Sequence, residues 1–328
     1  MLFFGVAKMG ENYNKPSLYL ILPCFNEEEI LSKTADETES KLNQLIMENK
    51  ISNSSKVLFV DDGSFDNTWE LIEDFHNKNN MFCAIKFSKN KGHQNALFAG
   101  LMFAKDNADI SISMDADLQD DLNVIDEMIG EYNMGSQIVY GVRSSRKKDS
   151  FFKRSTAETF YKLMNFLGVE IVFNHADCRL MSKRALEALE EYEEVNLFLR
   201  GIVPQLGFKT SEVYYERNER ELGESKYPLR KMISFAFEGI TSFSIKPLKM
   251  IASIGFLMAV LSFIVMIYAV SVKIMGAVVS GWTFIIVSIW LVSGIQMLSF
   301  GILGEYIGKM YMETKKRPKY IIEKELFD

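Results

Sequence analysis

The chain has 328 residues, 48% of them hydrophobic, and is long enough for one large or two ordinary domains with a buried core. A formal net charge of −6 argues against nucleic acid as a partner, because nucleic-acid-binding domains usually have a basic face. Three cysteines without CxxC spacing and only three histidines indicate neither a disulfide framework nor a zinc site. Carboxylates are therefore the expected ligands of any metal.

Alternating apolar and charged segments make up the N-terminal two thirds of the chain. Residues 1–16 have an apolar patch too short for the core of a signal peptide, and we expect a flexible lead-in there. The alternation that follows predicts an α/β domain over residues 17–226, with a mostly parallel sheet flanked by helices. The expected strands are LYLILP at 18–23, KVLFV at 56–60, FCAIKF at 82–87, DISISM at 109–114 and QIVY at 137–140.

A polar segment follows each of the first four expected strands. Because ligands bind at the carboxyl ends of the strands in open α/β sheets, these segments are expected to form one site. Neither GxGxxG nor GxxxxGK[ST] occurs in the sequence, so a dinucleotide-binding fold and a P-loop have no support. The four segments are PCFNEEE, DDGSFDNT, SKNKGHQNA and DADLQDD.

The DADLQDD segment has the spacing of a metal clamp. In an extended chain, Asp115, Asp117 and Gln119 would present three oxygen donors to one side. Oxygen ligands suit Mg²⁺ or Mn²⁺, and Mg²⁺ is commonly held by carboxylates together with substrate phosphates. The spacing therefore indicates a site for a nucleotide diphosphate. The alternative is helix capping, which Asp120 or Asp121 would provide for the helix that follows.

Two other polar segments have both a structural and a functional interpretation. Asp61 and Asp62 precede Gly63, which permits a tight turn. Two successive carboxylates exceed the needs of a turn, and one of them could accept hydrogen bonds from a base or a ribose. For residues 23–27, helix entry and nucleotide contact are the alternatives.

Two stretches after residue 150 have the spacing of amphipathic helices. One begins with a capping box at Ser155, and this expected helix ends at Gly168. The other follows Pro228 and fills residues 227–247, next to a strongly apolar region. Core packing and an interfacial position at a membrane are the alternatives for both stretches.

Two uncharged stretches, at 250–272 and 274–304, each exceed the ~20 residues needed to cross a bilayer. We expect a transmembrane hairpin at 248–304 that turns around Lys273. Basic residues flank it on both sides, so the positive-inside rule places the N-terminal domain and a tail at 305–328 in the cytoplasm. These basic residues are Lys226, Arg230, Lys231, Lys246 and Lys249 before the hairpin, and Lys309, Lys315, Lys316, Arg317 and Lys319 after it.

In this order and spacing, LPCFNEEE, VDDGSFDNT, NKGHQNALFAGL and MDADLQDD resemble the family 2 glycosyltransferases, which have the GT-A nucleotide-diphospho-sugar transferase fold. YGVRSSR, NHADCRL, FLRGIVPQLGF and ERELGESKYPLRKM are similar to the polyprenyl-phosphate glycosyltransferases, the group of bactoprenol glucosyltransferase and dolichol-phosphate mannose synthase. The resemblance spans residues 17 to 310. It implies inverting transfer of a hexose from a nucleotide sugar, first of all UDP-glucose, to undecaprenyl phosphate or another polyprenyl phosphate, with Mg²⁺ or Mn²⁺ as cofactor. The QxxRW-type motif of processive synthases is absent from the sequence.

The same resemblance implies roles for individual residues. The nucleotide sugar would be held by Pro23, Asn26, Glu27, Asp61, Asp62, Lys91 and Asp115. The metal would be held by Asp115, Asp117 and Gln119. The lipid phosphate would be held by Arg143, Arg154, Arg220, Ser225 and Lys226. Asp117, Asp177, Arg143 and Arg154 would be the catalytic residues.

This transfer requires neutralisation of the negative charges on the donor diphosphate and the acceptor phosphate more than it requires a base. A phosphate monoester has its second pKa near 6, so much of the acceptor is already a dianion at neutral pH. Asp177 is a candidate base or sugar-site carboxylate, and its alternative is helix capping before Ser182. The segment GESK at 223–226 is expected to form a mobile lid over the donor.

Two other functions fit the same sequence features. One is a membrane-anchored glycosyltransferase with a non-lipid glycan acceptor, and the other is a non-catalytic nucleotide-sugar-binding partner of a flippase. Small residues such as Gly294 and Gly301 also allow a homo-oligomer through the apolar hairpin.

Overall fold

The computed structural model describes residues 15–143, 175–195, 197–216, 241, 244–275 and 281–327. Arg154, Arg220, Ser225 and Lys226 lie outside these residues, as do the first 14 residues, the helix expected after Ser155 and almost all of the one expected after Pro228. The strands are β1 Leu18–Cys24, β2 Lys56–Asp61, β3 Phe82–Phe87, β4 Ile110–Ser113, β5 Ile138–Arg143, β6 His175–Ser182, β7 Thr210–Tyr215 and β8 Ile322–Leu326. The helices are α1 Leu31–Met47, α2 Thr68–Lys78, α3 His93–Asn107, α4 Val124–Asn133, α5 Lys183–Glu190, α6 Leu199–Gln205, α7 Lys246–Ile274 and α8 Trp282–Lys315.

The five expected strands all form, because each is an apolar run of strand length between helices of amphipathic spacing. β1 shows how such a run is used, since successive side chains point to opposite faces of the sheet. Leu18, Leu20 and Leu22 face one apolar cluster, which is completed by α1, α2 and α4. Tyr19 and Ile21 face a second cluster, which is completed by α3, α5 and α6. The sheet is therefore buried on both faces.

α3 lies unusually close to the sheet. A Cβ placed on Gly100 would come within 2.5 Å of Cγ2 of Ile21, so only glycine fits at this crossing. The close contact fixes the height of α3 over β1 and hence the position of His93, the first residue of the helix.

The eight strands form one mixed sheet in the order β7-β5-β6-β4-β1-β2-β3-β8. The central strands β4, β1, β2 and β3 are parallel, as the sequence predicts. β6 lies antiparallel between β4 and β5, β7 is parallel to β5, and β8 is antiparallel to β3. The expectation of a mostly parallel sheet therefore holds for the centre, and the edges add antiparallel pairs from segments where no strand was predicted.

The two C-terminal helices are long and apolar enough to cross a membrane. Large apolar side chains on both are exposed within this chain, among them Phe256 at 73% and Met297 at 70%. α7 ends at Ile274, one residue beyond the expected turn at Lys273, and α8 begins at Trp282 and not at residue 274. A single lysine does not end a helix, since lysine is itself a good helix former.

The chain after α8 returns to the sheet. α8 ends at Lys315, and Lys316 adopts a left-handed conformation at φ 44°. Tyr320 then stacks on Phe87 at 5.0 Å, β8 pairs with β3, and Phe327 stacks on Phe103 at 4.1 Å. The segment 305–328, expected to be a separate tail, thus supplies the edge strand of the sheet.

We predict that Phe327→Ala lowers the free energy of unfolding of the sheet domain by about 1–2 kcal/mol, because it removes apolar contact and a ring stack. Urea-dependent hydrogen exchange of the β3 amides in the full chain measures this change. Ile321→Ala is the control, since its side chain is 53% exposed beside the same strand, and it should change stability by less than about 0.5 kcal/mol. Equal midpoints for the two variants would contradict a structural role for the returning chain.

Candidate active site

The loops after β1 and β2 are joined by hydrogen bonds at the carboxyl edge of the sheet. Asn26, at φ 53°, donates its backbone N–H to Oγ of Ser64 at 3.0 Å and accepts the N–H of Phe65 on Oδ1 at 2.9 Å. The N–H of Glu27 donates to Oγ1 of Thr68 at 3.0 Å. Pro23 is buried within β1. Asn26 and Glu27 therefore fix the shape of this edge, and their predicted nucleotide contacts stay predictions.

Asp61 and Asp62 follow one another in sequence but have different partners. Asp62 accepts the N–H groups of Lys91 and Gly92 at 2.6 and 2.8 Å, so it anchors the loop after β3. Asp61 accepts the N–H and the hydroxyl of Ser64 on Oδ1. Its other oxygen, Oδ2, is buried and has no hydrogen-bond partner within the described part of the chain. Loop geometry thus explains Asp62, whereas Asp61 presents an acceptor that suits a base or ribose donor.

Gly63 explains how the loops after β2 and β3 approach each other. It adopts φ 70°, and a Cβ at this position would lie 2.7 Å from the carbonyl carbon of Lys89. The close approach brings Lys91 to the edge of the sheet beside the aspartate pair. The expected tight turn at Gly63 is confirmed.

The DADLQDD segment forms a turn and not an extended chain. β4 ends at Ser113, Leu118 adopts φ 54°, and the N–H of Gln119 donates to Oδ1 of Asp117 at 3.2 Å. The expectation that Asp115, Asp117 and Gln119 point the same way by strand alternation is therefore wrong. A left-handed conformation is uncommon for leucine, and it breaks the alternation in the middle of the segment.

Asp120 belongs to the site and not to the start of α4. It is 2% exposed, and its Oδ1 accepts the hydroxyl of Tyr215 at 2.7 Å and Nη2 of Arg143 at 3.2 Å. Capping by Asp120 is therefore a wrong expectation. Asp121 accepts the N–H of Asn123 at 2.9 Å beside the helix start. The buried Asp120 carboxylate holds Arg143 at the end of β5, at the same edge as the other polar residues.

β6 brings Asp177 to this edge. Because β6 is antiparallel to β4, with Arg179 opposite Ser113, its first residues lie at the carboxyl end of β4. There Asp177 forms a bidentate ion pair with Arg200, with Nε to Oδ1 and Nη2 to Oδ2 both at 3.0 Å. Helix capping by Asp177 is a wrong expectation, because α5 is capped by the hydroxyl of Ser182.

His93 and Asp115 complete a compact polar group with Asp177. Nε2 of His93 lies 3.4 Å from Oδ2 of Asp177, and the ligating atoms of all three residues lie within 4.8 Å of one another. Leu199, next to Arg200, donates its N–H to Oε1 of Gln94 at 3.1 Å. The start of α6 is thereby fixed against the start of α3.

The two carboxylates of this group have opposite pKa shifts. Burial, together with the nearby charge of Asp177, raises the pKa of Asp115 to about 6. Burial also acts to raise the pKa of Asp177, but Arg200 and His93 offset it and hold that pKa well below its ordinary value. Asp177 is therefore an ionised anchor and a weak base, whereas Asp115 lacks a full countercharge.

These residues fit a divalent cation. Asp115 is an uncompensated carboxylate beside Asp117 and Gln119, and oxygen ligands are those that Mg²⁺ and Mn²⁺ prefer. His93, Asp115 and Asp177 are also close enough to share an ion. Both Asp177 oxygens already bind the Arg200 guanidinium, however, so Asp115 is the better carboxylate ligand of this group.

Sequence reasoning did not identify His93, Arg200 or Tyr215 as site residues. His93 lies in the quoted NKGHQNALFAGL motif and Arg200 in FLRGIVPQLGF, so both motifs contained the signal. Tyr215 could not be found, because β7 has no clear apolar alternation, and its pairing with β5 is a long-range contact.

Comparisons with known proteins relate this chain to glycosyltransferases. Residues 19–190 match the family model described as Glycosyl transferase family 2. The chain is 51% identical to the uncharacterized glycosyltransferase YkoT of Bacillus subtilis, over 96% of this chain and 94% of that one. It is 41% identical to a prophage bactoprenol glucosyl transferase homolog of Escherichia coli, over 93% of this chain and 98% of that one. Glucosyl-3-phosphoglycerate synthase from Mycobacterium tuberculosis, solved with Mn²⁺ and UDP, is similar in structure with a TM-score of 0.43 and 14% identity, over 69% of this chain and 76% of that one.

We predict that Asp62→Asn and Asp61→Asn differ in their effect on stability. Asparagine has one acceptor oxygen, so Asp62→Asn leaves the N–H of Lys91 or Gly92 unpaired and costs about 1–3 kcal/mol. Asp61→Asn keeps the Oδ1 acceptor for Ser64 and removes a charge that burial disfavours, so its cost is below about 0.5 kcal/mol. Thermal unfolding of the purified full chain measures both, and an equal loss for both variants would contradict the assignment.

Proposed function

The chain belongs to glycosyl transferase family 2 and is a glycosyltransferase, and we propose that it transfers a hexose from a nucleotide sugar to a polyprenyl phosphate. UDP-glucose is the first donor and undecaprenyl phosphate the first acceptor to test. The reaction inverts the anomeric carbon, and its product is a polyprenyl-phosphate sugar for modification of cell-envelope glycans. Relatives named bactoprenol glucosyl transferase, matched over 93% of this chain, support this acceptor class.

One observation supports the proposal more than any other: a half-buried acidic site and two exposed apolar helices occur in the same chain. A polyprenyl chain leaves the bilayer at a cost of about 0.8 kcal/mol for each CH₂ exposed to water. An enzyme that acts on its phosphate must therefore work at the membrane surface. The apolar helices α7 and α8 would hold the acidic site there.

The donor end of the site follows from the carboxylates at the sheet edge. Asp115, Asp117 and Gln119 would hold Mg²⁺ or Mn²⁺, which when bound offsets the charge on the diphosphate leaving group. Oδ2 of Asp61 would accept a hydrogen bond from the base or ribose. Asp62 would act indirectly, since it holds the backbone of Lys91 at the same edge.

The acceptor end requires positive charge. A phosphate dianion is already a nucleophile, so transfer needs no strong base, and the lowered pKa of Asp177 is consistent with that. Asp177 would instead orient Arg200 and His93 toward the donor. Arg143, held by Asp120, would meet the lipid phosphate at the end of β5. Arg154, Arg220, Ser225 and Lys226, outside the described residues, are proposed to bind the same phosphate.

We place the catalytic domain on the cytoplasmic face of the bacterial inner membrane. Basic residues lie at the start of α7, at Lys246 and Lys249, and near the end of α8, at Lys309 and Lys315. Both of these ends adjoin the catalytic domain, so the positive-inside rule puts that domain in the cytoplasm.

The test is transfer of label from a panel of nucleotide sugars to undecaprenyl phosphate by the purified full chain, measured in the organic extract. We expect one donor to label the lipid, and EDTA to abolish the labelling. Asp117→Ala should reduce the rate by about 100-fold or more, because it removes a proposed ligand of the metal ion that would offset the charge on the leaving group. Asp74→Ala, an exposed carboxylate on α2, is the matched control and should leave the rate unchanged.

The outcomes separate the alternatives. Labelling of a water-soluble glycan without polyprenol would favour a non-lipid acceptor. Nucleotide binding without transfer from any donor would favour a non-catalytic partner of a flippase. Transfer that survives both EDTA and Asp117→Ala would contradict the metal assignment.

A further inference from the structure

The loop between α5 and α6, residues 191–198, rests on the C-terminal end of α8. Both carboxylate oxygens of Glu313 accept the N–H of Val195, at 3.0 and 2.9 Å. Nζ of Lys319 donates to the carbonyl of Tyr192 at 3.1 Å. Lys316 also reaches Glu193 at 3.3 Å, but both of those side chains are about 80% exposed. Glu313 and Lys319 therefore make the less exposed contacts between the membrane helix and this loop.

The position of Glu313 is unfavourable for the helix that contains it. Glu313 lies in the last turn of α8, where the helix macrodipole disfavours a negative charge. A carboxylate that accepts a backbone N–H makes a charge-assisted hydrogen bond, which is stronger than a neutral one. The tertiary contact with Val195 thus offsets a local cost.

The loop leads directly into the active site. Phe198 is buried, and α6 begins one residue later. The first two residues of α6 both form hydrogen bonds to other parts of the site. Leu199 donates its N–H to Gln94, and Arg200 forms the bidentate ion pair with Asp177. Arg200, whose guanidinium binds Asp177, is only five positions after Val195, whose backbone N–H binds Glu313.

We propose that Glu313 is a positioning residue for the transfer reaction: it fixes Val195 on α8 and thereby sets the place of Arg200, five positions later, against Asp177. The proposal rests on the proposed function for its effect on catalysis. A misplacement of about 1 Å in a catalytic group can reduce a rate by about 100-fold, so a hydrogen bond five residues away is close enough to matter. The position of α8 would in this way affect the position of Arg200 in the acidic site.

The first arm of the test measures the contact itself. Hydrogen exchange is followed in the full chain for peptides that span residues 195–203, in wild type, Glu313→Ala, Glu313→Gln and Glu193→Ala. Glu313→Ala should lose protection in this segment while the β1 and β2 amides keep theirs. Glu313→Gln retains one acceptor oxygen and should lose less, and Glu193→Ala, which removes only the exposed pair with Lys316, should match wild type. Unchanged protection in Glu313→Ala overturns the proposal.

The second arm measures catalysis, with the donor and acceptor that label the lipid. Glu313→Ala should lower kcat by roughly 10-fold with little change in KM for the nucleotide sugar, and Glu313→Gln should restore part of it. In an Arg200→Lys background, Glu313→Ala should have no further effect, because its action passes through Arg200. Additive losses, or an unchanged kcat in Glu313→Ala, overturn the proposal.

The two arms of the test distinguish failure of the proposed function from failure of the positioning role of Glu313. If wild type transfers no sugar from any donor, the proposed function fails, and the exchange arm alone then decides whether Glu313 holds the segment. If wild type transfers sugar and Glu313→Ala behaves as wild type in both arms, the proposed function stands and the role of Glu313 is refuted.

Discussion

Repulsion among carboxylates at one edge of the sheet is the constraint on which the rest of this site depends. Asp115, Asp117, Asp120 and Asp177 converge there, and each buried charge requires a partner. Asp120 has Arg143 and Tyr215, and Asp177 has Arg200 and His93. Asp115 is left with a raised pKa. The protein's own cations thus satisfy Asp120 and Asp177, whereas the less compensated Asp115 is suited to a divalent ion.

The sequence was informative where structure is local. The parallel core of the sheet consists of contiguous apolar runs, such as Leu18–Cys24, and the polar loops follow those runs directly. β6 was not predicted, because HADCRLMS mixes buried and polar residues and becomes a strand only by pairing with β4 and β5. The antiparallel direction of that pairing is set by tertiary contacts, and it brings Asp177 beside Asp115.

Individual site geometry was harder to predict than site membership. The motif containing Asp115 and Asp117 was identified correctly as part of the polar edge, but the reason given was wrong, since Leu118 at φ 54° turns the chain. Asp61 and Asp62 are adjacent and chemically identical, and only the loop after β3 distinguishes them. Such differences depend on which backbone N–H groups arrive from distant segments, and a single sequence does not contain that information.

The anchoring of Asp177 is consistent with the proposed transfer of a sugar without a conventional base. A carboxylate in a bidentate pair with arginine is held ionised, and a low pKa makes it a poor proton acceptor. A phosphate acceptor has little need of one, since most of it is deprotonated at neutral pH. What such a reaction needs is two anions brought together, and this requires cations at fixed positions. In the proposed reaction Arg143 from β5 and Arg200 from α6 would meet that requirement, since each is held by a partly or fully buried aspartate.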